Sequence, residues 1–293
     1  MGSGPGVLVV VATPIGNLGD LSPRAAGALA DADLVACEDT RRTGRLLELA
    51  GIGSRPLTVV NDHTEGDMVP VIVEAVRSGR RVALVTDAGT PGISDPGQRV
   101  VAAVAGSGGR IEVIPGPAAP VAALVASGLP ATRFVMEGFL PRRGPERAGR
   151  LNALAGEVRT VVLLEAPHRL AATIGDLAGV CGDERRVALC RELTKMHEEV
   201  WRGTLGEAVA HTAEVPPRGE FVVVLDGAPP PPAPGDDELR RALAEHETAG
   251  ASRRDAVAAV ARAAGVSRRR VYQLAIGGDQ SPEQGSQEWS SGE

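Results

Sequence analysis

The run Val7–Val11 is apolar without a break, β-branched at every position but one, and bounded by Gly6 and by Thr13-Pro14. A run with no polar alternate reads as a strand covered on both faces, the usual condition of a parallel sheet. The pattern returns at 34–37, 82–86, 111–114, 160–165, 187–191 and 221–225. Between these runs, apolar positions at helical spacing predict helices over 23–30, 68–77, 98–105 and 170–180. Strands alternating with helices make an α/β architecture.

Two breaks interrupt the alternation. Residues 141–150 (PRRGPERAGR) carry four Arg against one Glu among turn formers, and are expected to mark a boundary between two α/β domains, placed at 1–134 and 135–228. Residues 229–235, with five prolines, are expected to form a stiff extended linker. Beyond it the pattern is wholly helical over 236–278, and the Gly-, Ser-, Gln- and Glu-rich 279–293 reads as a disordered tail. Within the helical part, Ser252-Arg253-Arg254-Asp255 has the form of a capping box with Asp in place of Glu or Gln. That helix should stop near Gly265, with Ser267 capping a second one that offers Val271, Leu274 and Ile276 for packing, a helix-turn-helix-like unit.

At 293 residues the chain has room for two cores. Aromatic residues are 2%, so those cores must be built from Val, Leu and Ala. No window reaches the ~18 apolar residues of a membrane span, and 7–12 is too short and lacks the basic leader of a signal peptide, so a cytoplasmic location and no membrane partner are expected. Cys37, Cys181 and Cys190 are odd in number and lack CxxC spacing, which points to core thiols and to no metal site. The net charge of −6 argues against bulk nucleic-acid binding, yet residues 252–276 hold six Arg against one Asp. A basic module is therefore attached to an acidic body.

Three loops follow predicted strands, where ligands of open α/β sheets sit. The first, Thr13-Pro14-Ile15-Gly16, is not a GxGxxG fingerprint, and the chain has no GxxxxGK[ST], so a nicotinamide dinucleotide or a nucleoside triphosphate is disfavoured. The second, Asp87-Ala88-Gly89-Thr90-Pro91-Gly92-Ile93-Ser94-Asp95, brings backbone close to a ligand and offers carboxylates for an amine or hydroxyl; it also fits a tight turn in which Asp87 caps local amides. The third, Pro115-Gly116-Pro117-Ala118-Ala119, opens an Ala-rich helix. One pocket shared by the three is the expectation.

The segments ATPIGNLGDLSPRA, CEDTRRTGRLL, TDAGTPGISDPG, PGPAAP, EGFLPRRG, EAPHRL and RELTKMHEEV occur in this order. In combination they resemble the ribosomal RNA small subunit methyltransferase I family, within the tetrapyrrole-methylase-like group, over about residues 7–276. The resemblance implies two α/β domains of the tetrapyrrole methylase type with S-adenosylmethionine in the cleft between them, a homodimer, and 2′-O-methylation of a cytidine ribose, the decoding-centre cytidine 1402, in 16S ribosomal RNA or the small ribosomal subunit. It places the cofactor against Pro14, Ile15, Gly16, Asp87, Gly89, Thr90, Ile93, Ala118 and Ala119, and against Glu165, Glu220 and Phe221. Asp62-His63 departs from the His-rich loop expected there, so no role is given to His63.

Polar groups available for the chemistry are Glu38, Asp39, Arg41 and Arg42, then His168, Arg169, Glu192 and Lys195. Glu38 and Asp39 end a strand, but acidic residues at a helix N-terminus are the competing reading. Arg169 suits a phosphate; a solvated His-Arg pair at a helix start is the alternative. Residues 191–195 fit an internal ion-pair network as well as a substrate surface. No general base is assigned. RNA contacts are expected from Arg142 and Arg143, and from Arg268, Arg269, Arg270 and Tyr272, where three positive charges in a first turn oppose the helix dipole and call for an external anion. Two rivals stand: a small-molecule, tetrapyrrole-like methylase on the same scaffold, for which the basic module has no use, and a non-enzymatic ribosome-assembly protein, which would not bind S-adenosylmethionine.

Overall fold

The unbroken apolar runs become inner strands in the computed structural model, which describes residues 6–229 and 234–277. Strands β1 (Val7–Val11), β2 (Leu34–Cys37), β3 (Leu57–Val59), β4 (Arg81–Leu84) and β5 (Arg110–Ile114) form an all-parallel sheet in the order β3-β2-β4-β1-β5. All five β1 residues are buried because each face is covered. Val7, Val9 and Val11 pack with Ala25, Leu29 and Leu47 of α1 (Pro23–Ala30) and α2 (Thr40–Leu49); Leu8 and Val10 pack with Ile72, Val76, Val100 and Val104 of α3 (Glu65–Arg77) and α4 (Gln98–Gly106).

A second sheet takes the order β6-β7-β10-β8-β9, from β6 (Phe134–Phe139), β7 (Thr160–Glu165), β8 (Arg186–Arg191), β9 (Glu199–Thr204) and β10 (Phe221–Leu225). Only β6 and β7 run parallel; the other pairs are antiparallel. Alternate residues divide its strands between two cores. Val161, Leu163, Val187, Leu189, Val223 and Leu225 face α6 (Pro145–Ala155), α7 (Pro167–Cys181) and α8 (Leu205–Glu214), while Val162, Ala188, Cys190, Val222 and Val224 face α5 (Ala119–Ser127). Helix α5 follows the first sheet in the chain yet packs on the second, and the Arg202 guanidinium donates to the Ala126 and Ser127 carbonyls at its end, at 2.5 and 3.1 Å. Ala123 and Leu124 of α5 are buried against the second sheet, while Val121 and Val125 stay exposed.

The stretch 141–150 does not separate two domains. It joins β6 to α6 within the second sheet's own layer, so the charge-rich turn was a surface connection and not a boundary. Three strands escaped the hydrophobic pattern, each for a reason. β3 is a three-residue edge strand, β6 is broken by a bulge between Met136 and Gly138, and β9 is an edge strand carrying Glu199 and Arg202. α7 starts three residues before its predicted onset, with Pro167 in its first turn, the position where proline's missing N–H costs nothing.

Residues from Pro229 onward form a separate compact unit. In it α9 (Asp236–Thr248), α10 (Arg253–Ala264) and α11 (Arg268–Gly277) enclose Leu239, Leu243, Ala256, Val257, Val260 and Val271. Ser252 caps α10 by accepting from the Asp255 amide at 3.2 Å, while its own hydroxyl donates to the Asp255 carboxylate at 2.6 Å, so only half of a capping box forms. Gly265 ends α10 in the left-handed region. Leu274 is partly buried and Ile276 is half exposed. The proline-rich 230–233 and the tail 279–293 lie outside the described residues.

Candidate active site

The three strand-end loops are bonded to one another. Thr13 and Gly89 exchange backbone hydrogen bonds at 2.9 and 3.1 Å, and the Thr13 hydroxyl donates to the Thr86 carbonyl at 3.1 Å. Thr90 reaches the Pro117 carbonyl at 3.5 Å. Gly89 holds φ +86°, a conformation an L side chain resists, with Ile15 next to it.

Opposite them stand the ends of β7 and β8 and the start of β10, brought level by antiparallel register: Phe221 pairs with Glu165 on one side and Arg191 on the other. A cleft of about 390 Å³ lies between these loops and strand ends, within the ~300–1,000 Å³ usual for small-ligand sites. Nine of the twelve residues expected at a cofactor line it: Ile15, Gly89, Thr90, Ile93, Ala118 and Ala119 from the first half, Glu165, Glu220 and Phe221 from the second. Pro14, Gly16 and Asp87 do not. A Cβ on Gly16 would meet the Lys195 side chain at 2.4 Å, so that glycine makes room for a lysine that crosses from the other half.

Sequence reasoning did not assign Ser94, Asp95, Phe139, Leu164, Cys190 or Leu193 to the cleft, and these line it too. The β8 end of the site is strained: Glu192 and Thr194 hold φ of 49° and 67°. Such conformations persist where surrounding contacts impose them. Here the Glu192 carboxylate accepts from the Glu220 amide at 2.9 Å and from Lys195 Nζ at 2.9 Å, while Nζ also donates to Glu220 at 2.7 Å. Burial works to lower the Lys195 pKa, but the bonds to Glu220 and Glu192 outweigh it and hold the ammonium charged. The Lys195 bond also pulls Glu192 below the ordinary carboxylate range. The network reading of 191–195 is the one realised, and the network forms a wall of the cleft.

Glu165 is 3% exposed and fully bonded: it accepts from the Ala166 amide at 2.9 Å and the Thr173 hydroxyl at 2.6 Å, and pairs with Arg169 at 3.2 Å. Arg169 also donates to the Leu140 carbonyl at 2.7 Å, so its guanidinium holds the fold and is not presented to a phosphate. His168 is exposed and outside the cleft lining.

The acidic pair of CEDTRR divides. Asp39 is the N-cap of α2, accepting from the Arg41 amide at 2.8 Å; Arg41, bonded through its side chain as well, holds the carboxyl down to about 2. The helix-start reading is correct for Asp39 and Arg41. Glu38 instead turns inward and accepts from the Thr86 hydroxyl at 3.0 Å. Asp87 lies beside it, raised by burial and by the Glu38 charge, with Arg42 at 3.3 Å as partial compensation and Oδ1 buried without a partner. Asp95 is pushed up to about 6, chiefly by burial and then by Glu38. Cys190 is raised to about 11 by burial and is no nucleophile. Among the described residues no His, Cys, Asp and Glu group is arranged to hold a metal ion, and no helix is long and apolar enough to cross a membrane.

Among the expected RNA contacts, Arg142 and Arg143 are exposed in the β6–α6 connection, and Arg268, Arg269 and Tyr272 are exposed on α11. Arg270 is engaged at home, with Asp236 at 2.7 Å and the Pro234 carbonyl at 3.0 Å. Within 234–277 eight Arg face six acidic residues, because α9 is itself acidic, so the positive charge belongs to α10 and α11 and not to the whole module.

The Tetrapyrrole (Corrin/Porphyrin) Methylases family matches residues 7–209. A protein of Synechocystis named ribosomal RNA small subunit methyltransferase I is 45% identical over 92% of this chain and 98% of its own length. The chain belongs to the ribosomal RNA small subunit methyltransferase I family. A Thermotoga maritima member of that name is 42% identical over 76% of this chain and 99% of its own. The fold is shared with uroporphyrin-III C-methyltransferase from Thermus thermophilus, solved with S-adenosylhomocysteine, at a TM-score of 0.53 and 21% identity over 75% of this chain and 97% of that one. The tetrapyrrole methylase assignment of the fold is therefore established.

Proposed function

We propose that this protein is an S-adenosylmethionine-dependent ribosomal RNA methyltransferase that methylates the 2′ oxygen of a cytidine, position 1402 at the decoding centre of 16S ribosomal RNA, acting in the cytoplasm as a homodimer. The observation that carries the reading is the near full-length likeness to relatives bearing that name. The chemistry of the cleft supports it. Four carboxylates line it, from Asp95, Glu165, Glu192 and Glu220, against one cation, Lys195, and no Arg. That is a poor lining for a pyrophosphate and a suitable one for a ligand with a sulfonium and an amine. Leu164, Phe221, Val222 and Ala118 offer apolar surface for an adenine ring, and the loop amides near Gly89 and Ala119 offer donors for a carboxylate.

When bound, S-adenosylmethionine supplies a methyl group already activated for displacement, so the protein's tasks are alignment and removal of a proton. Alignment of two reactants is worth up to roughly 7–11 kcal/mol. The rigid, mutually bonded loops supply the alignment. Arg142, Arg143, Arg268, Arg269 and Tyr272 are the exposed groups suited to guiding RNA.

The test is transfer of label from methyl-labelled S-adenosylmethionine to small subunits lacking the modification, followed by mapping. Label on one cytidine ribose is expected. Absence of label on subunits and on free ribosomal RNA, with cofactor binding demonstrated, would favour a small-molecule methylase of the same fold.

A further inference from the structure

Strand β6 changes face before it ends. Met136 pairs with Val162 and packs toward α5, so plain alternation would turn Gly138 to that face and Phe139 to the helices on the other. A bulge reverses the order. It puts Gly138 opposite Leu163 and Phe139 opposite Leu164, with Glu137 as the extra residue. Phe139 therefore lines the cleft beside Leu164, and Leu140 is buried among the α6 and α7 side chains instead. Gly138 makes the bulge at φ +71°, where an L side chain is strained, and a Cβ there would stand 3.3 Å from the Ser94 hydroxyl. Three guanidinium groups from α6 and α7 hold the backbone on both sides of the phenyl ring. Arg150 pairs with the Glu137 carboxylate and donates to its carbonyl at 3.4 Å. Arg169 donates to the Leu140 carbonyl at 2.7 Å, and Arg147 to the Pro141 carbonyl at 2.9 Å.

All of this fixes in place a ring that the fold itself does not cover. Among the described residues only Phe221 and Phe139 bring an aromatic face to the cleft. Phe221 is 8% exposed and belongs to its floor; Phe139 is 52% exposed, as is its neighbour in the lining, Ile93, at 51%, which puts both at the mouth. Building on the function proposed above, we infer that Phe139 is the platform on which the base of the acceptor nucleotide stacks, and that the acceptor is therefore taken out of the stack of its own RNA strand. A ribose whose 2′ oxygen enters the cleft carries its base at the mouth, and a base freed from its neighbours finds its best replacement surface on an aromatic face. Arg142 and Arg143, exposed three and four residues further on, lie within at most about 14 Å of chain, where they meet the phosphates that flank such a base. The bulge thus serves binding: an unbulged β6 would bury the ring and leave the mouth with a glycine.

Four proteins decide the matter: wild type, Phe139→Ala, Phe139→Leu and Phe139→Tyr, each assayed for kcat and KM on unmodified small subunits, for affinity toward S-adenosylhomocysteine by calorimetry and for mass in solution by light scattering. Phe139→Ala and Phe139→Leu should each raise KM about tenfold or more, with kcat and S-adenosylhomocysteine affinity within about threefold of wild type and the mass unchanged. Phe139→Tyr keeps the aromatic face and should stay within about threefold of wild type in KM. The inference is overturned if Phe139→Leu matches wild type, since any apolar group would then do, or if Phe139→Tyr fails as badly as Phe139→Ala. Loss of the analogue in step with KM would make the ring a cofactor contact, and a changed mass would make it a surface covered by a second copy of the chain; either result also overturns it. A wild type that binds the analogue and methylates no RNA would instead defeat the functional reading on which this one rests.

Discussion

Asp95 carries a cost that is measurable without any substrate. Its folded pKa, about 6, stands above the ~3.9 of an unfolded aspartate, so between those values the folded chain binds the extra proton. Stability contributed by this group is therefore full below about pH 4 and is lost as pH rises through 6, the reverse of a salt-bridged carboxylate. Asp95→Asn removes the charge and keeps the shape. Because Asp95 is only partly buried, solvent screening reduces the roughly 1.4 kcal/mol per pKa unit, leaving about 1–2 kcal/mol. The variant should melt about 2–5 °C above wild type near pH 8 and together with it near pH 4. Equal melting at both values would show that the acidic surroundings do not strain Asp95.

The helices show where a charge written in the sequence is used. Arg268, Arg269 and Arg270 occupy the first turn of α11, where the dipole opposes them. Asp236 answers for Arg270, leaving two guanidinium groups for an external anion. Arg268→Ala and Arg269→Ala should each reduce the salt dependence of ribosomal RNA binding by about one phosphate contact, and Arg270→Ala should leave the slope unchanged. Binding measured from low to moderate salt would show this, and equal slopes for all three variants would remove α11 from the RNA path. The same division marks what could be read from the chain. Inner strands such as β1 and β10 were legible because burial on both faces leaves no polar position, and the three ligand loops because turn residues follow those strands at once. β3, β6 and β9 were not, since edges and bulges relax the pattern. Asp39 and Arg169 stayed open in the sequence for a different reason. A carboxylate or guanidinium looks the same in sequence whether it meets a ligand or caps a helix, and only the fold reveals that Asp39 accepts the Arg41 amide and that Arg169 serves Glu165. Asp95 follows the same strand as Gly89 and Thr90, but its place in the cleft lining emerges only when that loop is folded opposite the strand ends of the second sheet.

Chain length and composition divide labour between the two compact units, Met1–Ala228 and the residues that follow. The first holds both sheets, four of the five buried clusters and the whole cleft. The second has a small core of its own and the exposed Arg268 and Arg269. The Thermotoga relative, 99% of whose length is matched by 76% of this chain, is about the size of the first unit, so the family can dispense with an added segment. A protein ending at Ala228 should then fold and bind S-adenosylhomocysteine with unchanged affinity, because no group of the cleft is removed. Its kcat on saturating subunits should stay within a few-fold of the full chain. Its KM should rise, by roughly tenfold for two lost phosphate contacts near physiological salt, and the difference should shrink at low salt, where the remaining surface charge suffices. Steady-state methylation at two ionic strengths separates the outcomes. A truncated protein with normal KM would leave the basic helices without a part in substrate capture, and one with normal KM and lost kcat would place them at the chemistry itself.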